Sequence, residues 1–272
     1  MPEIIEVNFL KDEIASAFLG KRVVEAILRN EKIANIKKKE FEKELTGELL
    51  EDVKRHGKIL ILKFSNDKYL LIHFLLTGYM RLIEESEKEK TQAYLKFDDE
   101  RSLGIFGIMS NGFIHFHKGK KIEDLEELKE LGIDVLDEKF TLEKFKEIVE
   151  ENKNKTIKDI LLDQSIIAGL GNAYSDEILF ESKIHPKRKA KDLSFAEVET
   201  IYKNIFKILE KSKKFGGASE LSFVHLDGTK GVFHKHFSVH KKEGEKCPVC
   251  GTQIETIKIG GRTSYFCPKC QR

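Results

Sequence analysis

Apolar and polar residues change their rhythm twice along the chain. Near the start, Ile5, Phe9, Ile14 and Phe18 stand among charged residues at approximately helical spacing, which predicts an amphipathic helix over about residues 3–18. From Val23 to about Phe116 the rhythm is that of short β-like runs, among them Ile59 to Phe64, Tyr69 to Phe74 and Phe113 to Phe116, with turn residues between them. Past Gly132, periodic segments at about 141–151, 156–163, 172–181 and 194–214 read as helices, interrupted by Gly169, Gly171 and Pro186. The last stretch has few apolar runs and holds all four cysteines, so it needs something other than a hydrophobic core to fold. The pattern predicts an α+β multidomain chain: a sheet-rich domain at 1–133 opened by a helix, a helical module at 134–235 and a small satellite at 236–272.

A length of 272 residues with 40% hydrophobic content suits two or three modest modules. No apolar run approaches the roughly 18 residues that span a bilayer. The start MPEIIEV lacks the basic and apolar regions of a secretory signal, so the expected compartment is the cytoplasm, with no membrane partner. The net charge of +2 hides an asymmetry: from Lys230 onward there are nine Lys/Arg against three acids, about +6. A basic terminal module suits a polyanion such as nucleic acid, because each phosphate contact releases counterions. A solvated basic tail reads equally well from charge alone.

The cysteines sharpen the picture. Cys247-Pro-Val-Cys250 and Cys267-Pro-Lys-Cys270, with sixteen residues between the pairs, match the spacing of a four-thiolate zinc site. Four protein ligands leave no open position for water, so one structural zinc is expected. Between the pairs, Gln253 to Ile259 and Thr263 to Phe266 flank Gly260-Gly261-Arg262, a hairpin signature that presents Arg262, either to a phosphate or only to solvent.

Three further places carry potential chemistry. Removal of Met1 would expose the prolyl nitrogen of Pro2, a secondary amine able to condense with a sugar aldehyde to a cationic iminium, with Glu3 adjacent for proton transfer. His56-Gly57-Lys58 before an apolar run marks a turn whose lysine is either solvated or set to reach phosphate or donate a proton. At Gly169-Leu-Gly171-Asn172 one helix stops and another starts, and a helix N-terminus there suits a phosphate, with Asn172 as cap or contact. A purely structural helix-turn-helix stays open at that point.

Together and in this order, these pieces resemble the formamidopyrimidine-DNA glycosylase/endonuclease VIII family over essentially the whole chain. The motifs that carry the resemblance are Met1-Pro2-Glu3-x-x-Glu6-Val7, Gly57-Lys58 before a strand, His73-Phe74-Leu75-Leu76-Thr77-Gly78 and Leu161-Leu162-Asp163-Gln164. They continue with Gly169 to Glu177, Ile184-His185-Pro186, and the finger from Gly261-Arg262-Thr263 to Cys267-Pro-Lys-Cys270-Gln271. The resemblance implies an N-terminal β-sandwich with an N-terminal helix, a helix-two-turn-helix domain and a C-terminal β-hairpin zinc finger. It implies a monomer acting on damaged double-stranded DNA held across a cleft, as a bifunctional glycosylase and abasic-site lyase without a diffusible cofactor. By carry-over Pro2 is the nucleophile at the sugar C1′, Glu3 the proton donor, Lys58 the acid assisting β-elimination and Arg262 the phosphate contact assisting δ-elimination. Asn172 and Lys155 are backbone contacts, and Leu76 stands where a wedge fills the gap left by a flipped base.

The chain departs from the family in three places. Position 5 is Ile where a second proline is usual. Ile105 to Gly112 stands where formamidopyrimidine glycosylases carry Asp-Pro-Arg-Arg-Phe-Gly, so the Arg and Phe that read and wedge against the opposite base are missing. The loop from Gly216-Gly217-Ala218-Ser219-Glu220 to Gly231 lacks the usual Arg-Asp-Tyr. Oxidised pyrimidines, ring-opened purines or crosslinked bases are therefore alternatives to 8-oxoguanine as the target, and a non-catalytic DNA-damage sensor of the same fold is the alternative to an enzyme.

Overall fold

The computed structural model describes residues 1–109, 111–220 and 222–272; Ser110, in the departing segment 105–112, and Leu221, in the loop after Gly216, lie outside the described residues. The chain forms two compact units, one from Met1–Lys129 with Phe215–His234, the other from Glu130–Lys214 with Lys235–Arg272.

The first unit opens with α1 (Ile4–Phe18), followed by β1 (Val23–Leu28), α2 (Lys38–Leu45), β2 (Leu50–His56), β3 (Ile59–Phe64), β4 (Lys68–His73), β5 (Tyr79–Ile83), β6 (Ala93–Phe97), β7 (Ser102–Phe106), β8 (Phe113–Lys118) and the single turn α3 (Glu126–Lys129). The strands make two antiparallel sheets, ordered β1-β6-β7-β5 and β2-β3-β4-β8. Strand periodicity turns Leu60, Leu62 and Phe64 of β3 to the common core, where they join Leu70 and Ile72 of one sheet and Leu95, Phe97, Leu103 and Ile105 of the other. The β3 run is the predicted Ile59 to Phe64.

α1 covers this sandwich with Val7, Leu10, Ile14 and Phe18, a spacing that keeps one helical stripe inward. The sequence pattern had put Phe9 on that face; Phe9 is only partly buried, and Val7 and Leu10 take the inward positions. Glu3 is the N-cap in a capping-box arrangement, its amide donating to Glu6 Oε2 at 2.8 Å.

Residues 215–234, read from sequence as part of the helical module, pack with the sheets. Phe223 and Leu226 enter the sandwich core, and the Leu82 amide donates to the Leu226 carbonyl at 2.8 Å. Gly217, at φ 80°, passes so close to α1 that a Cβ there would sit 2.9 Å from Glu6 Oε1, a position open only to glycine.

The second unit contains β9 (Ile133–Asp134), α4 (Leu142–Glu151), α5 (Ile157–Leu162), β10 (Ile167–Ala168), α6 (Asn172–Glu181), α7 (Phe195–Lys214), β11 (Glu255–Ile259) and β12 (Arg262–Phe266). Thr141 caps α4 and Thr156 caps α5 through side-chain oxygens that accept the amides of Lys144 and Asp159. β9 and β10 pair in parallel, and β11 and β12 form a hairpin closed by Gly260 and Gly261, both at positive φ as a two-residue primed turn requires. No helix among the described residues is long and apolar enough to cross a membrane.

Candidate nucleic-acid interface and catalytic residues

The capped start of α1 fixes the first chemical group. Pro2 immediately precedes the cap, and Pro2, Glu3 and Glu6 are all buried. Glu6 holds two segments at once, since Oε2 accepts the Glu3 amide and Oε1 accepts the Ala218 amide at 2.7 Å. With Met1 attached, the Pro2 nitrogen is part of a tertiary amide and carries no nucleophilic lone pair, so iminium chemistry requires its removal.

Lys58 occupies the two-residue turn between β2 and β3, with His56 paired to Ile59 and Gly57 at φ 53°. It is only 7% exposed, which sets aside the picture of a solvated turn lysine. α1 lies on these strands, and Arg55 Nε, at the end of β2, donates to Asn8 Oδ1 at 3.2 Å. His73, paired with Ile59 across β4, is held neutral: burial pushes its imidazole down to about 4, and the Lys58 charge adds to the shift.

Leu76 is 54% exposed and outside the core, in a loop where Leu75 adopts φ 51°. Thr77 Oγ1 donates to the Gly107 carbonyl at 2.6 Å, so this loop is tied to the departing segment 105–112. On that segment Met109, also exposed at 56%, holds an apolar side chain at the surface. The two loops therefore present two exposed apolar side chains from one braced pair.

In the second unit, Lys155 and Arg262 line one open pocket of about 470 Å³ together with Asp159, Leu162, Asp163 and Gln164. Lys155 Nζ meets Asp163 Oδ2 at 2.9 Å, and a hydrogen bond from Ser165 followed by the Lys155 charge keeps the Asp163 carboxyl below its ordinary range. Arg262 is exposed at the first position of β12, opposite Ile259. Asn172, at the first turn of α6, donates Nδ2 to the Thr263 carbonyl at 2.7 Å, and its buried Oδ1 has no hydrogen-bond partner among the described residues. Asn172 thus fastens the hairpin next to Arg262, a role the sequence did not suggest.

Sequence reasoning assigned no role to the groups that hold this arrangement. Lys158 and Asp176, both fully buried, pair at 2.6 Å. Lys158 also donates to the Asn172 carbonyl, and Asp176 accepts the Tyr265 amide of β12 and pairs with His240 Nδ1. The neighbouring Glu177 accepts the amides of Ser238, Val239 and His240, while burial pushes its carboxyl up against them. An Asp-Glu pair inside the apolar helix sequence Ala-Tyr-Ser-Asp-Glu-Ile-Leu-Phe was the available signal, because two acids on a buried helix demand donors. Gln271 is similar: it accepts the Cys267 amide and donates to the Ile184 carbonyl.

The four cysteine sulfurs lie within 4.8 Å of one another, with Cys247 to Cys270 at 3.9 Å and Cys250 to Cys267 at 3.5 Å. A zinc–sulfur bond of about 2.3 Å in a tetrahedron sets sulfurs roughly 3.8 Å apart, so the donor set fits one structural zinc and is too open for disulfides.

Comparison with known proteins is consistent along the whole length. Family models match the formamidopyrimidine-DNA glycosylase N-terminal domain over residues 1–109, the formamidopyrimidine-DNA glycosylase H2TH domain over 131–223 and the zinc finger found in FPG and IleRS over 244–272. The formamidopyrimidine-DNA glycosylase of Listeria innocua is 34% identical over 275 residues, covering 100% of both chains. The chain belongs to the formamidopyrimidine-DNA glycosylase family. The Mycoplasma mobile member is 36% identical, covering 100% of this chain and 99% of its own. Lactococcus lactis Fpg, solved in complex with DNA containing an abasic site, superposes with a TM-score of 0.90 at 29% identity and covers 100% of both chains. The sandwich with its N-terminal helix, the H2TH module and the β-hairpin finger of this family are the architecture seen here.

Proposed function

We propose that this protein is a base-excision DNA glycosylase and abasic-site lyase that removes a damaged base from double-stranded DNA through Pro2, acting as a monomer in the cytoplasm. The observation that carries this reading is the capped start of α1, which buries Pro2 and Glu3 at one fixed place on the strands that bear Lys58. The modules at 1–133, 134–235 and 236–272 then divide the labour among chemistry, backbone grip and finger, except that 215–234 of the second span pack with the first.

In this mechanism the Pro2 nitrogen bonds to C1′ as the bond from C1′ to the base breaks; the base leaves with its electron pair and takes up the proton released from the prolyl N–H. Glu3 delivers a proton to the ring oxygen, the sugar opens and an iminium remains. Loss of a C2′ proton sends its electron pair to the iminium nitrogen and gives an enamine, whose returning pair breaks the C3′–O bond and expels the 3′ phosphate, with Lys58 as the assisting acid. A second elimination, assisted by Arg262, releases the 5′ phosphate. Lys155, Arg262 and Asn172 grip the backbone, a phosphate taking Lys155 from Asp163, while Asn172 also holds the finger hairpin beside that contact. The zinc supplies rigidity to the hairpin and no chemistry.

Lesion choice rests on the braced loops. With the Asp-Pro-Arg-Arg-Phe-Gly sequence missing from 105–112, where Phe106 is buried against Tyr79, Leu76 and Met109 fill the vacated stack by apolar contact, which reads no hydrogen-bonding edge of the opposite base. This favours an opposite-base tolerance wider than strict 8-oxoguanine:cytosine.

The test is borohydride trapping on duplex DNA carrying one abasic site, with Met1-processed protein beside Pro2→Gly and Glu3→Gln. An adduct mapped to Pro2 supports the lyase. If zinc-loaded, processed protein binds the DNA and yields no adduct, the chain is a damage sensor and the enzyme reading fails.

A further inference from the structure

A second cluster of metal-ligating side chains lies in the first unit and plays no part in the chemistry above. His115 and His117 stand two apart on β8, so their rings project from the same face of the strand. Both reach one carboxylate: Glu127 Oε1, on α3, lies 2.5 Å from His115 Nδ1 and 3.1 Å from His117 Nε2. The three donor atoms all fall within 4.8 Å of one another. The other oxygen, Glu127 Oε2, is buried and has no hydrogen-bond partner among the described residues. Leaving such an oxygen unsatisfied is unfavourable, and a bound cation would offset that cost.

We infer that His115, His117 and Glu127 form a binding site for a divalent first-row transition ion of the zinc class, separate from the cysteine site. Two imidazoles and one carboxylate select such ions over magnesium and calcium, which prefer all-oxygen shells. Ligand bonds of about 2.0–2.2 Å in a tetrahedron set donor atoms roughly 3.3 Å apart. The His117 distance already fits, and the closer His115 contact opens by less than an ångström through side-chain rotation. Three protein ligands leave the fourth position to water. β8 is an edge strand, held on its outer side by Asn35, which exchanges hydrogen bonds with the Phe116 backbone. The ion clips this edge to the short helix at which the chain leaves the first unit.

The experiment is metal counting on the full chain with its cysteine site already zinc-loaded. Dialysis against micromolar zinc followed by elemental analysis is expected to give two zinc ions per chain, with His117→Gln and Glu127→Gln each returning the count to one. Cobalt added to zinc-loaded protein reports independently: its d–d bands should appear without thiolate charge-transfer absorption, so the result stands even if a variant folds poorly. A count of one at saturating zinc overturns the proposal. So does a second equivalent that survives both substitutions in folded protein.

Discussion

Replacing Lys158 by methionine tests how the finger hairpin is held. The substitution keeps most of the aliphatic stem but strands the Asp176 carboxylate, which is fully buried and then keeps hydrogen bonds from His240 and the Tyr265 amide. Removing one partner of a buried ion pair costs about 3–5 kcal/mol, because the remaining charge stays desolvated. For a cooperative unit of this size, that corresponds to a fall of roughly 10–20 °C in its melting transition. Calorimetry on zinc-loaded protein gives the first measurement, and urea unfolding followed by circular dichroism gives the second. Lys158→Met combined with Asp176→Asn removes the unpaired charge yet leaves an oxygen for the Tyr265 amide, so the double variant should regain at least half the loss. Trapping by the single variant should slow as well, since Lys158 also binds the Asn172 carbonyl beside the hairpin. The reasoning is refuted if Lys158→Met stays within about 1 kcal/mol of the parent, or if the double variant is no more stable than the single.

Three further outcomes are expected. NMR titration should find the His73 ring neutral down to about pH 4. Its folded-state pKa is depressed, so its contribution, on the order of 3 kcal/mol, is complete above about pH 6.5 and lost as pH falls toward 4; a ring titrating near 6.5 would contradict this. Zinc removal, or Cys250→Ser, should unfold the hairpin and weaken duplex binding while the melting of the sandwich stays unchanged; retention of binding would show that the hairpin contributes little. Leu76→Ala and Met109→Ala should each slow excision from duplex more than from single strands, and equal slowing on both would remove the wedge assignment.

Local patterns carried much of this architecture. β3 was legible because a continuous apolar run bounded by a Gly-Lys turn and polar residues has few other readings. The starts of α4 and α5 were legible because Thr141 and Thr156 cap them by local hydrogen bonds. The finger was legible because cysteine spacing encodes a tetrahedron. The inward face of α1 was misread at Phe9 because several stripes fit a helix whose apolar residues spread around more than one side. The placement of 215–234 in the sandwich was invisible, since Phe223 and Leu226 belong to no periodic run and their partners lie far away in sequence. The burial of Lys58, read as either a solvated turn lysine or a proton donor, and of Lys158, which drew no reading, could not be seen because burial of a charged group depends on partners that no local window contains.

The return of residues 215–234 to the sandwich bears on the order in which the protein can be made. Glu6 waits 212 residues for the Ala218 amide, and Glu13 waits as long for the His225 ring and the Leu226 amide. During synthesis the N-terminal helix therefore emerges with acceptors whose donors are still untranslated, and the sheets close around a core missing Phe223 and Leu226. Contacts this distant along the chain are formed late and slow the final step of folding. The carboxylate that braces the helix start beside Pro2 gains its last donor only once nearly the whole polypeptide has left the ribosome, which ties readiness of the nucleophile to completion of the chain.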